Sequence, residues 1–155
     1  MMKTTMKALN LPPIKYRLKS IEGKQHIFDE IRGKYVRLTP EEWVRQHFVQ
    51  YLINEKNVPS SFIANEIGIN LNGTSKRCDT VIHDVYLTPI ALVEYKAPNV
   101  PISESVFDQI VRYNMALKVK YLIVSNGLQH YCCQIDYEAK HYAFLPKIPA
   151  YEHLI

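Results

Sequence analysis

Long apolar runs are missing from this sequence. No stretch approaches the ~18–20 apolar residues that a membrane-spanning helix requires, and the opening MMKTTMKALNLPPIKYRLKS lacks the apolar centre of a signal peptide. A membrane span and a secretory leader are both excluded from the reading. Cysteine is scarce: Cys78, Cys132 and Cys133 make an odd number with two adjacent, which does not suit a disulfide framework. A reducing, cytoplasmic setting follows as the expectation. There is no C-x-x-C pair, and the six histidines show no H-E-x-x-H or H-x-x-x-H spacing, so a zinc site of the common kinds is not indicated. His83, His130 and His141 read as structural or exposed, and Cys132–Cys133 as packing. Internal repeats and low-complexity tracts are also absent.

What is present fits one soluble domain. The 155 residues can bury a real core but not two ordinary ones, and 47% hydrophobic with 22% charged residues is a globular balance. A formal charge of +4 permits a nucleic-acid partner without requiring one. Residues 1–23, polar around Pro12-Pro13, read as a loose arm or edge segment, and residues 24–155 as a single domain.

The clearest helix is LTPEEWVRQHFVQYLINEKNV. Thr39 is an N-cap, Pro40 suits the first helical position, and Glu42 completes a capping-box pattern. Val44, Phe48, Tyr51 and Leu52 form its apolar stripe, and Asn57 and Pro59 end it. KQHIFDEIRGKYVRL before it reads as two short strands, or a strand and a turn at Gly33. A three-strand meander follows. Its first strand alternates Ile63, Ile67, Ile69 and Leu71 with polar residues, and Asn72-Gly73 is a strong hairpin signal. The second strand runs from Cys78 to Tyr86, Thr88-Pro89 turns the chain, and Ile90 to Lys96 is the third. SESVFDQIVRYNMALK predicts a second helix capped by Ser103. KYLIVSNG reads as a buried strand, and LQHYCCQI and KHYAFL as two more. The order predicts an α/β domain with a mixed β-sheet flanked by helices.

Within ALVEYKAP, Glu94 and Lys96 share one face of a strand while Val93 and Tyr95 take the other. Asp79 opens the preceding strand, and a hairpin brings that start beside the end carrying Glu94. Two carboxylates at a sheet end suit a hard divalent cation such as Mg²⁺. A lysine beside them can orient a water or stabilise charge on a phosphoryl group. Taken alone, Glu94 and Lys96 also describe an exposed ion pair of little energetic value.

The order helix, three strands, helix, strand, with Asp79 and then Glu94-Tyr95-Lys96, resembles the PD-(D/E)XK restriction-endonuclease-like core (αβββαβ). More specifically, VRLTPEEWVRQHFVQYLI, KRCDTVIHD, LVEYKAP, FDQIVRYN and YLIVSNGLQHYC together are similar to the N-terminal domain of type I restriction enzyme R proteins. The likeness covers roughly residues 24–150. It implies a metal-dependent DNA endonuclease of a restriction-modification system, using Mg²⁺ or Mn²⁺. It also implies helicase/translocase or methyltransferase subunits as partners, and a homodimer as one assembly. By resemblance, Asp79, Glu94 and the Tyr95 carbonyl correspond to metal ligands and Lys96 to the catalytic lysine. Gln109 and Tyr113, at i and i+4 on the second helix, correspond to a Q-x-x-x-Y element near the DNA backbone. Glu42, or Glu41, corresponds to the glutamate of the first helix. Two departures stand out: Cys78 replaces the proline of the family's name, and 155 residues leave no room for a helicase motor.

Around this set stand residues with two readings each. Glu42 already has a capping role. Glu66 faces either solvent or the site. Lys76 and Arg77, with Arg112 and Arg45 on the helices, either grip phosphates or solubilise the surface. The rival to a DNA nuclease is a non-catalytic DNA-binding or scaffold subunit retaining the fold, or a nuclease acting on RNA.

Overall fold

A computed structural model describes residues 6–71 and 73–155. Two sheets form. The smaller holds three antiparallel strands, β1 (Leu18–Ile21), β2 (Lys24–Asp29) and β3 (Lys34–Arg37). The larger holds six in sequence order: β4 (Ile63–Leu71), β5 (Thr74–His83), β6 (Pro89–Tyr95), β7 (Tyr121–Ser125), β8 (His130–Asp136) and β9 (His141–Phe144). All neighbours in it are antiparallel except β6 and β7, so this is a mixed sheet. That parallel pair needs a crossover, and helix α2 (Glu104–Asn114) supplies it. Helix α1 (Pro40–Glu55) and the short α3 (Tyr151–Leu154) complete the chain.

The helices cover opposite faces of the large sheet. Val44, Phe48 and Leu52 of α1 pack with Val93, Tyr95, Ile123 and Cys132, joined by Tyr151 and Leu154 of α3. Phe107, Ile110 and Val111 of α2 pack with Val81, Leu92, Leu122, Val124 and Cys133. Strand alternation divides the residues between the faces, and all five residues of β7 are buried, as its continuous apolar run requires.

Local chemistry sets the helix ends. Thr39 Oγ1 accepts from the Glu42 amide at 3.0 Å, and Ser103 Oγ accepts from the Val106 amide at 3.3 Å. At the other end of α1, Asn57 takes φ +58° and the Val58 amide reaches the Leu52 carbonyl at 3.0 Å. That is a left-handed helix stop built on asparagine.

Several expectations are corrected. From Lys7 onward the N-terminal segment is not loose. Trp43 Nε1 donates to the Lys7 carbonyl at 2.9 Å, and the Asn10 amide donates to the Gly127 carbonyl at 2.8 Å. Gly127, at φ +85°, lies so close to Leu9 that a Cβ there would stand 2.7 Å from it. Ile21 pairs with Lys24, so the chain passes from residue 23 to 24 inside a hairpin. The second meander strand ends at His83, because Asp84 Oδ1 accepts from the amides of Tyr86 and Thr88 and folds 84–88 into the turn. The helix expected over 103–118 stops at Asn114 and tightens into a 3₁₀ turn, Met115–Leu117. The Leu71 side chain and Asn72, from the expected stripe and hairpin tip, lie outside the described residues.

The isoleucines of β4 do not share one face. Ile63 packs on the α1 side, whereas Ile67 and Ile69 pack on the α2 side. The switch occurs at Glu66, which takes φ +54° inside the strand. A left-handed residue inserts a local reversal and breaks strict alternation.

Candidate active site

β5 and β6 stay paired only as far as Thr80–Val93. One residue further on stand Asp79 and Glu94. There the Asp79 carboxylate takes a role that a strand carbonyl would otherwise fill: its Oδ2 accepts from the Tyr95 amide at 2.9 Å. β5 therefore parts from β6 at Asp79, and the sheet opens at that point. β6 continues on its other side, where the Lys96 amide donates to the Ser125 carbonyl at 2.9 Å.

Glu94 lies in the gap. Burial raises its pKa, and the neighbouring Asp79 carboxylate raises it further, to about 9. The Lys96 ammonium and the Asn114 amide act in the opposite direction. All three groups are thus within electrostatic or hydrogen-bonding reach of one carboxyl. Glu94 Oε1 is buried without a hydrogen-bond partner. Two carboxylates side by side, one desolvated and one of its oxygens unpartnered, form an electronegative notch beside a lysine.

This pKa shift has a measurable consequence. A carboxyl whose pKa is raised on folding binds more protons in the folded state than in the unfolded state. Stability then falls as pH rises from the ordinary glutamate range towards about 9. In EDTA, Glu94→Gln is expected to raise the melting temperature at pH 8 by roughly 2–4 °C or more, equivalent to at least about 1 kcal/mol. At pH 4, where the parent carboxyl is already protonated, no gain is expected. Melts across this range check it, and an equal shift at both pH values would sink it.

The opposite face of the strand end is a buried polar network. Arg45 of α1, 5% exposed, sends Nη1 to the Asp79 carbonyl at 2.5 Å, Nη2 to Glu66 Oε1 at 2.6 Å and Nε to Glu42 Oε2 at 3.2 Å. Glu42 also takes Arg32 Nη2 at 2.7 Å and Gln46 Nε2 at 2.8 Å. Asp29 pairs with Arg32 and accepts from Asn65 Nδ2 at 3.1 Å. The chain of bonds closes through Thr80, which donates to Asn65 Oδ1 at 2.7 Å and accepts from the Tyr95 hydroxyl at 2.9 Å. Burial opposes charge on Glu66, but Arg45 and Arg77 outweigh it and hold its pKa below the usual range.

The residues expected from sequence fall into three groups. Asp79, Glu94, Tyr95 and Lys96 gather at the strand end. Glu42 and Glu66 meet at Arg45 on the α1 side, one bond from the Asp79 backbone, while Glu41 is exposed. Gln109, Arg112 and Tyr113 lie exposed on α2. The Lys76 ammonium sits 4.0 Å from the centre of the Tyr113 ring, which ties the β4–β5 hairpin to that helix. Arg77 is exposed and pairs with Glu66 at 3.1 Å. His83 and His130 engage backbone carbonyls, of Phe62 and Asn10 respectively. Among the described residues, no three His, Cys, Asp or Glu side chains cluster as a metal site. No helix among them is long and apolar enough to cross a membrane.

Sequence reasoning missed Asn114. It is fully buried at the end of α2, on the stripe of Phe107, Ile110 and Val111, and its amide faces Glu94. The available signal was a polar residue at an apolar position, i+4 from Ile110 and i+7 from Phe107.

A mixed α/β domain with a carboxylate pair and a lysine where two strands part is the class that the fold and site define. Residues 40–149 match the family described as type I restriction enzyme R protein N terminus, and the chain belongs to that family. Among solved structures it is similar to a fragment of a putative HsdR subunit of a type I restriction enzyme from Vibrio vulnificus YJ016. The likeness has a TM-score of 0.54 and 22% identity, over 76% of this chain and 24% of that one. A DrdV–DNA complex matches at TM-score 0.45 and 15% identity, over 75% of this chain and 11% of that one. The chain thus spans about a quarter or less of the structures it resembles. No curated protein matches it.

Proposed function

We infer that this domain is a metal-dependent DNA endonuclease of the PD-(D/E)XK type, the nuclease part of a type I restriction system. The observation that carries the reading is the Asp79–Glu94 carboxylate pair at the parting of β5 and β6. Glu94 Oε1 is buried there without a partner, and Lys96 follows on the same strand face. The donor set fits Mg²⁺ or Mn²⁺: both carboxylates and the Tyr95 carbonyl are hard oxygen ligands, and Mg²⁺ commonly takes one or two carboxylates with several waters. A cation would also relieve the repulsion that raises the Glu94 pKa. When bound, such an ion supplies Lewis-acid stabilisation of charge on the scissile phosphate.

The chain's own residues account for the rest. Lys96, beside the carboxylates, holds a water for in-line attack at phosphorus and offsets charge that develops on the phosphoryl oxygens. Arg45 fixes the Asp79 backbone from behind. Lys76, Arg77 and Arg112 offer positive charge to the phosphate backbone, a sequence-independent contribution that steers and holds nucleic acid. A translocating motor and a methyltransferase subunit are the partners this reading implies, with base recognition delegated to them.

The test is nicking of supercoiled plasmid by the purified chain in Mg²⁺, Mn²⁺ or EDTA, beside Asp79→Ala. Nicking in either metal, none in EDTA and none by the variant support the reading. Metal-independent nicking, or equal nicking by the variant, refutes it. Retained DNA binding with no cleavage in any metal would instead favour a scaffold subunit, and cleavage confined to RNA an RNA nuclease.

A further inference from the structure

Asn114 ends α2 with its side chain completely buried. Its Nδ2 donates to the Ile110 carbonyl at 2.9 Å, and the same NH₂ group acts as a donor towards the neighbouring Glu94 carboxyl. The bond to Ile110 fixes which way round the amide lies. Turned over, Oδ1 would confront the Ile110 carbonyl, acceptor against acceptor. Oδ1 in its actual place is buried and has no hydrogen-bond partner among the described residues, and the same holds for Glu94 Oε1. Buried acceptors without a donor are costly and uncommon. Here two of them belong to neighbouring side chains. The helix face around it, with Phe107, Ile110 and Val111, is apolar.

With the carboxyls ionised, both unpartnered acceptors can be served together by a group with hydrogens on more than one side. A hydrated divalent cation is such a group, because Mg²⁺ keeps several of its waters when carboxylates bind it. We propose that Asn114 belongs to the cation site, its Oδ1 holding the ion's water shell beside Glu94 while its Nδ2 anchors the group to α2. Residues one shell out from a metal orient its ligands and waters, and their loss typically weakens affinity about 10–100-fold. The inference rests on the reading that Asp79 and Glu94 hold the ion.

The experiment is calorimetric titration of the full chain with MgCl₂, alongside thermal melts without metal. It compares the parent with Asn114→Leu, Asn114→Asp and Glu94→Gln. Asn114→Leu is expected to weaken Mg²⁺ binding about 10-fold or more while its metal-free melting temperature stays at or above the parent's. Asn114→Asp keeps an oxygen in place and is expected to bind at least as tightly as the parent. Parental affinity in Asn114→Leu, with binding lost in Glu94→Gln, overturns the role of Asn114 and leaves the carboxylate site standing. No binding by the parent overturns both. Should Asn114→Leu fail to fold, Asn114→Asp decides: a 10-fold or greater loss of affinity overturns the proposal.

Discussion

Lys96→Ala is expected to lower the single-turnover rate of Mg²⁺-dependent DNA nicking by about 10³-fold. The estimate follows from removing one preorganised charge that acts where negative charge develops. The Mg²⁺ concentration for half-maximal rate should stay the same or fall. The Lys96 ammonium acts electrostatically on Glu94, so its removal makes the carboxylate pair a stronger cation site. This split separates a role on the phosphate from a role in building the site, since a ligand or folding defect would raise the metal requirement. Lys96→Arg should not restore the rate, because a planar guanidinium does not replace a compact ammonium at a fixed point. Nicking time courses across a Mg²⁺ series are the measurement. A rate within tenfold of the parent would remove Lys96 from the mechanism.

Arg45→Ala is expected to destabilise the fold by about 3–5 kcal/mol, the usual cost of removing one partner from a buried charge cluster. For a chain of this length that is roughly a 10 °C fall in melting temperature. The side chain is 5% exposed and serves three acceptors on three elements: Glu42 of α1, Glu66 of β4 and the Asp79 carbonyl of β5. Its loss leaves the buried Glu42 carboxylate with Arg32 as its remaining cation and removes one of the two guanidinium partners of Glu66. Arg45→Lys should recover only a fraction, since one ammonium cannot span the three acceptors. Urea unfolding with the slope unchanged checks the magnitude. A loss below about 1 kcal/mol would mean that the cluster contributes specificity rather than stability.

These two residues also mark how far the sequence could be read. Lys96 was legible because a strand repeats every two residues. Once 91–96 reads as a strand, Glu94 and Lys96 must share a face, and the hairpin brings Asp79 alongside. Helix α1 was equally legible, since Thr39, Pro40 and Glu42 act on their own neighbours. Glu42 shows where local reasoning stops. Its capping position was plain, but its carboxylate is engaged by Arg32, ten residues earlier, and by Arg45. Arg45 looked like another surface cation, yet it is buried. Gln109 and Tyr113 do share a helix face, but the α2 residue that reaches Glu94 is Asn114 on the apolar side.

The sequence by itself determined helices α1 and α2, the order of the large sheet's strands and the strand that carries Glu94 and Lys96, because propensity, capping and periodicity are set by residues a few positions apart. Tertiary structure alone decided what those residues meet. The reversal at Glu66 moved Ile67 and Ile69 to the other face of the sheet. The Asp79 carboxylate ended the pairing of β5 with β6 by taking the Tyr95 amide, and the close of α2 at Asn114 set an amide against Glu94. Each depends on groups far apart in the chain that compete for the same hydrogen bonds, and such competition is resolved only when the strands and helices are packed together.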